Sequence, residues 1–242
     1  MLNSLNSQRP AGASKVALIV RGGWSGHHPI DTTDVFLPFL KEQGYEVRIS
    51  RSTTIYADAT QMSDVDLIVQ CITMSSIEPE EFEGLDAAVR RGVGFAGWHG
   101  GIVDSFRDSR LYLQLVGGQL AEHPSKPEAD RVGDAHDNDV SHVIEMTAAG
   151  AEHPITTGID DFELSTEQYW VLTDDYNTVL ATTTHPSKPG DPWDSPVTCP
   201  ALWTRNWGQG RIFVATPGHT PDVLEAEPVR TIVERGLLWA SR

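Results

Sequence analysis

Residues 92–101 read Gly-Val-Gly-Phe-Ala-Gly-Trp-His-Gly-Gly, and this stretch constrains the fold more than any other. An apolar run stops at Trp98-His99, and two glycines follow at once. In an α/β protein a buried strand ends this way, in a sharp turn at the carboxyl edge of the sheet, where ligands bind. A titratable imidazole at such a turn is a candidate site residue. Glycines chosen only for positive φ would write the same pattern. On this stretch alone both readings stay open.

The flanking segments support a sheet. Residues 15–20 and 65–72 are short apolar runs that suit strands covered on both faces, and 45–50 is β-rich. Residues 31–43 place Val35, Phe36, Phe39 and Leu40 at helical spacing before Gly44. Glu78-Pro79-Glu80-Glu81 opens a helix that Arg90-Arg91-Gly92 closes. Strand–helix–strand, repeated at this spacing, predicts an open and mostly parallel sheet flanked by helices. The second half reads as extra short strands at 142–147, 163–172, 178–184, 197–206 and 211–216. The last two flank Trp207-Gly208-Gln209-Gly210, a hairpin signal. Short helices are expected at 110–116 and 228–240, and a long loop at 122–142. Residues 1–14 read as a disordered tail and 15–242 as one domain.

Charge narrows the partners. Asp and Glu number 34 against 18 Lys and Arg, a net charge of −16. That argues against nucleic acid, whose phosphates demand a basic patch, and against an anionic membrane surface. With no secretory leader and no long apolar span in the sequence, a cytoplasmic protein is expected. Helix faces and edge strands leave room for a homo-oligomer. Cys71 and Cys199 form no Cys-x-x-Cys pair, so a thiolate zinc site is not expected.

Nine histidines are the main carriers of chemistry. His27 and His28 follow the first strand, His99 follows the strand at 92–98, and His219 follows the strand at 211–216. If those strands are parallel neighbours, their carboxyl-end loops converge. Three converging imidazoles suit a divalent metal, zinc above all, or acid–base chemistry near neutral pH. For His136, His142 and His185 the expectation is a surface or turn position. His153 reads as a turn residue. Glu167, between Thr166 and Tyr169, reads by spacing as a solvent-facing strand residue, with a metal ligand or general base as the alternative. Gly22-Gly23-Trp24-Ser25-Gly26 matches no phosphate-binding fingerprint. Residues 134–139 lack the glycine and terminal Glu of a calcium loop. Seven tryptophans offer flat faces for sugar rings as well as for a core.

A set of short signatures then lines up in order. They are Gly23 with His27-His28, Gly97-Trp98-His99, and Leu115-Val116-Gly117-Gly118 with His123. His153-Pro154-Ile155 with Gly158 and Glu167-Gln168-Tyr169 follow. Pro196-Val197, Trp203, Gly208-Gln209-Gly210-Arg211 and Gly218-His219 complete the set. In these the chain resembles the trehalose-utilisation, or ThuA-like, family, over roughly residues 15–240. The resemblance implies a flavodoxin-like fold of the class I glutamine amidotransferase type and a role in sugar catabolism. His99 stands about where those amidotransferases carry a nucleophilic cysteine, so glutaminase chemistry is disfavoured. Thr166 stands where the family often has an acid.

The expectation is an enzyme acting on a sugar or keto-sugar, whether lyase, isomerase or hydrolase. Catalysis falls to His99, His123 and Glu167. Trp98, Tyr169, Trp203, Gly118 and Arg211 are the expected substrate-binding residues, and His28, His99 and His219 the expected ligands of a divalent metal. The alternative is a non-catalytic sugar-binding or regulatory protein on the same scaffold.

Overall fold

Among the described residues, eleven strands form. They are β1 (Lys15–Gly23), β2 (Tyr45–Ser50), β3 (Leu67–Thr73), β4 (Gly94–Trp98), β5 (Gly118–Glu122), β6 (Val140–Met146), β7 (Phe162–Thr166), β8 (Trp170–Thr173), β9 (Thr178–His185), β10 (Val197–Trp207) and β11 (Gly210–Ala215). This computed structural model describes residues 14–242 apart from 125 and 134–136. The reading of a disordered tail over residues 1–13, the position of His136 and residues 134–136 of the calcium-loop comparison lie outside the described residues.

Nine strands share one sheet in the order β2-β1-β3-β4-β11-β10-β9-β6-β7. The block β2-β1-β3-β4-β11 is parallel throughout. From β10 outward every pairing is antiparallel. The central parallel strands β3 and β4 are buried on both faces, which explains their near-continuous apolar runs. Val16, Leu18, Ile68 and Phe95 point into one core and Ala17, Ile19, Val69 and Ala96 into the other, as a period of two requires.

Each core is closed by a helix of the expected pattern. Helix Pro79–Arg90 buries Leu85 and Val89 in the first. It starts where expected because Glu78 and Glu81 form a reciprocal capping box with proline in the first turn. Helix Val229–Ala240 buries Ile232, Val233 and Leu237 in the second, against β4 and β11. No helix among the described residues is long and apolar enough to cross a membrane.

Three expectations are corrected. The helix at 31–43 is two helices, Pro29–Asp34 and Leu37–Glu42. Pro38 lies in the first turn of the second, because a proline deeper in a helix would lack its N–H and clash with the preceding turn. The strand at 163–172 breaks at residues 167–169 into β7 and β8, which belong to different sheets. Residues 118–122, expected to lead from a helix into a long loop, form β5 and pair antiparallel with β8. The hairpin at Trp207–Gly210 is present as read, linking β10 to β11.

Trp203 is a core residue rather than a sugar platform. Its ring is fully buried and its indole N–H donates to the Val116 carbonyl at 3.0 Å. Gly118 packs against this ring, where a Cβ would lie 2.8 Å from the indole. Trp203→Ala should therefore lower unfolding free energy by about 3–5 kcal/mol in urea melts. Trp203→Phe, which strands the Val116 carbonyl, should cost about 1–3 kcal/mol. An affinity change for a sugar at unaltered stability would restore Trp203 to the binding wall.

Candidate functional site

The strand order makes the conditional convergence real. β1, β3, β4 and β11 are adjacent and parallel, so His27, Thr73, His99 and His219 emerge along one carboxyl edge. His99 follows β4 with φ 50 and ψ −147, a conformation that non-glycine residues rarely adopt and that marks functional sites when it occurs. The positive-φ alternative for the two glycines after it does not hold. Neither Gly100 nor Gly101 has positive φ. Both permit close approach: a Cβ on Gly100 would lie 2.4 Å from the His27 imidazole, and one on Gly101 2.8 Å from Cys71.

β11 holds His99 at two points. The His99 backbone N–H donates to the Ala215 carbonyl at 2.7 Å, and Nδ1–H donates to the Thr216 carbonyl at 2.8 Å. A carbonyl only accepts, so Nδ1 carries the proton and Nε2 presents a lone pair. Burial lowers the His99 pKa despite the nearby Glu167 carboxylate, which keeps the ring neutral at physiological pH.

Around Nε2 lie Glu167 Oε2 at 3.1 Å, His219 Nδ1 at 3.2 Å and the Tyr169 hydroxyl at 2.7 Å. His219 Nδ1 also stands 3.3 Å from Glu167 Oε2, and His27 Nε2 3.9 Å from it. Nδ1 of His27 is 3.1 Å from the Thr73 hydroxyl, which leaves Nε2 facing the cluster. Burial, followed by the closeness of His99 and His219, pushes the His27 pKa down to about 2. Burial opposes ionisation of Glu167, but the surrounding histidines, His219 first, outweigh it and hold the carboxyl well below its usual range.

His27, His99, Glu167 and His219 each offer one ligand atom, all within 4.8 Å of one another. The closest donors are spaced near the ~3.3 Å edge of a tetrahedron built on zinc–ligand bonds of about 2.0 Å. Imidazole nitrogens and a carboxylate oxygen are the donor types that a borderline divalent ion takes. The donor set therefore fits a metal. Thr216 and Thr73 hold the outer ring nitrogens of His99 and His27, the arrangement that orients imidazoles in metal sites.

His27, not His28, joins the cluster. The turn Ser25–His27 directs His27 inward, whereas His28 takes a left-handed backbone with φ 45 and turns outward. Its half-exposed side chain faces Asp31. Glu167 is buried rather than solvent-facing, because the chain leaves β7 at Thr166 and tucks 167–169 inward before β8. Tyr169 stacks on the His99 ring at 4.1 Å. Burial raises its pKa well above that of a free phenol. The β5–β8 ribbon delivers His123, whose Nε2 is 3.8 Å from Glu167 Oε1.

Beside the cluster opens a cavity of about 430 Å³, bordered by Trp24, His27, Arg107, His123, Glu167 and Tyr169. Asp104 and Arg107 pair bidentately in its wall. Sequence reasoning missed both, along with Thr73, since none belongs to a recognisable motif. Trp98 packs under the site against Phe36 and Gly218, in the core. Arg211 is at the opposite end of β11, donating to the Ser241 carbonyl and lying over Trp239. It is too far down the strand to reach the cavity. His142 makes a local contact with Val140 O, and His153 packs on Trp239. His185, expected at the surface, is buried with Nε2 3.2 Å from the Tyr169 carbonyl. Cys71 is buried and its thiol pKa is pushed up to about 11 by burial, so it is no activated nucleophile.

The sign of the acid response follows. His27 has a folded pKa of about 2, below its ordinary 6.5, so between those values the unfolded chain binds the additional proton. Its stabilising contribution is complete above about pH 6.5 and is lost as pH falls, by about 1.4 kcal/mol per pH unit per imidazole held neutral. Glu167, with its lowered pKa, acts in the same sense below the ordinary carboxylate range. Urea melts of metal-free protein between pH 7.5 and 5.5 should show this loss, and His27→Gln should flatten it. Equal slopes would contradict the neutral assignment.

The fold recurs in solved proteins. A ThuA-like protein from Bacteroides uniformis superposes with a TM-score of 0.71 at 16% identity, covering 97% of this chain and 94% of that one. One from Parabacteroides merdae gives 0.71 at 15%, covering 94% and 90%. A β-galactosidase from Rahnella gives 0.54 at 16%, with 94% of this chain matching 30% of that enzyme. At such identities the likeness establishes the fold alone. No curated protein matches the sequence significantly. The ThuA family, described as trehalose utilisation, matches residues 16–240, and the chain belongs to that family.

Proposed function

We propose that this chain is an enzyme of sugar catabolism that binds a sugar or keto-sugar derivative in the 430 Å³ cavity. We further propose that it holds a divalent metal, zinc foremost, on His27, His99, Glu167 and His219. The observation that carries the reading is the buried cluster of three imidazoles and one carboxylate opening onto that cavity. Membership of a trehalose-utilisation family supports a sugar as the ligand. A borderline divalent ion suits this nitrogen-rich set, and when bound it supplies Lewis-acid polarisation of a substrate oxygen.

The chain's own residues supply the rest. Trp24 presents a partly exposed indole at the cavity rim, edge-on to His27, where a sugar ring can stack. The Asp104–Arg107 pair holds a guanidinium in the wall to donate to sugar oxygens. His123 borders the cavity beside Glu167, where its imidazole can pass a proton to or from a bound ligand. Glu167 is assigned here to the metal rather than to the role of free base, since its Oε2 faces three imidazoles.

Elemental analysis of protein purified without an affinity tag should find close to one divalent ion per chain. His27→Ala and His99→Ala should lose it, and His28→Ala should keep it. Thr73→Val, which removes the outer partner of His27, should weaken metal affinity by about 10–100-fold. His123→Ala should retain metal while turnover on a panel of keto-sugars falls by about 10²–10⁴-fold. Metal-free wild type would defeat the metal assignment. Tight sugar binding without product across that panel would make the chain a binding protein instead.

A further inference from the structure

Tyr169 is fixed at two points. Its ring stacks on His99 at 4.1 Å, and its own carbonyl lies 3.2 Å from His185 Nε2. The ring, and with it the hydroxyl oxygen, is thus set in place, and the O–H proton is the part left free to turn. In this structure the proton goes to His99 Nε2, 2.7 Å away. That nitrogen has one lone pair, because Nδ1–H is committed to the Thr216 carbonyl. A cation and the Tyr169 proton cannot both use it.

We infer that Tyr169 is a displaceable cap on the metal site and a positioning residue for the ligand. Without metal its hydroxyl satisfies the His99 lone pair. With metal the proton leaves Nε2 and turns toward the cavity that Tyr169 borders, where it donates a hydrogen bond to an oxygen of the bound ligand. The phenol is a donor that changes acceptor and is not itself a metal ligand. This rests on the metal reading proposed above and adds the partner exchange to it. Such an arrangement keeps a buried, lone-pair-rich cluster satisfied before loading. It then aims a fixed donor at substrate without moving a heavy atom, the kind of preorganisation that favours charge development on oxygen.

Zinc chloride alone is the first probe, titrated into metal-free wild type and Tyr169→Phe against a chromophoric chelator. Removing one competing hydrogen bond should leave zinc affinity unchanged or raise it by up to about 10-fold. Zinc should also produce a tyrosine ultraviolet difference signal in wild type that is missing in the variant. In any turnover found on the keto-sugar panel, kcat of the zinc-loaded variant should fall by about 10²–10³-fold with affinity for zinc intact. A fall of more than about 10-fold in zinc affinity would show Tyr169 to be a ligand or a prop for His99 and would overturn the inference. Full kcat in the variant, or no tyrosine signal in wild type, would overturn it as well. Wild type that binds no zinc would defeat the metal reading, and the cap with it, so the two failures are distinguishable.

Discussion

The pair of hydrogen bonds from His99 to β11 is the constraint on which the site depends. One runs from its backbone N–H to Ala215 and the other from Nδ1 to Thr216. Together they lock a strained backbone, fix one tautomer and aim a single lone pair at the cluster. Loss of the second bond would free the imidazole to flip, and Tyr169, Glu167 and His219 would lose their common focus. The bond exists because β11, late in sequence, inserts next to β4 in parallel. The site is thus a consequence of sheet order before it is a consequence of any motif.

That dependence explains which parts were legible in the sequence. The turn at Trp98-His99 was readable because a run buried on both faces must end abruptly. The convergence of loops was readable only as a condition, since strand order is a long-range property. Glu167 was misread for a physical reason. An alternating strand pattern at 163–172 puts it outward, but pairing of 170–173 with β5 rather than β6 breaks the alternation. All of residues 166–169 are then buried. His27 and His28 could not be told apart by composition. The choice is made by the lack of a Cβ at Gly100, seventy residues on, which leaves space for one imidazole and not for a second. Trp203 and Arg211 belong to the family-like signatures, yet they lie in the core and at the far edge. A recurring residue can record packing as readily as chemistry.

The two halves of the chain divide the work. The parallel half supplies rigid strand ends, and from them come three imidazoles whose positions vary little once the sheet forms. The antiparallel half supplies Glu167, Tyr169 and His123 from a strand break and a two-stranded ribbon. It closes over the edge and turns a row of histidines into an enclosed cluster beside a cavity. Enclosure is what depresses the histidine pKa values, since burial is the largest cause for both His27 and His99.

The cluster is costly to the fold. It buries a carboxylate and neutral imidazoles where hydrophobic residues would pack without desolvation. Among the described residues, the non-glycine positions with positive φ are His28, Met74 and His99. They stand after β1, β3 and β4, around this one edge. Backbone strain and buried polarity at the same place work against stability, and a sequence under selection for stability alone would have relaxed both. Their coincidence at the carboxyl ends of adjacent parallel strands, next to a cavity of about 430 Å³, is what the proposed metal and sugar site requires of the fold.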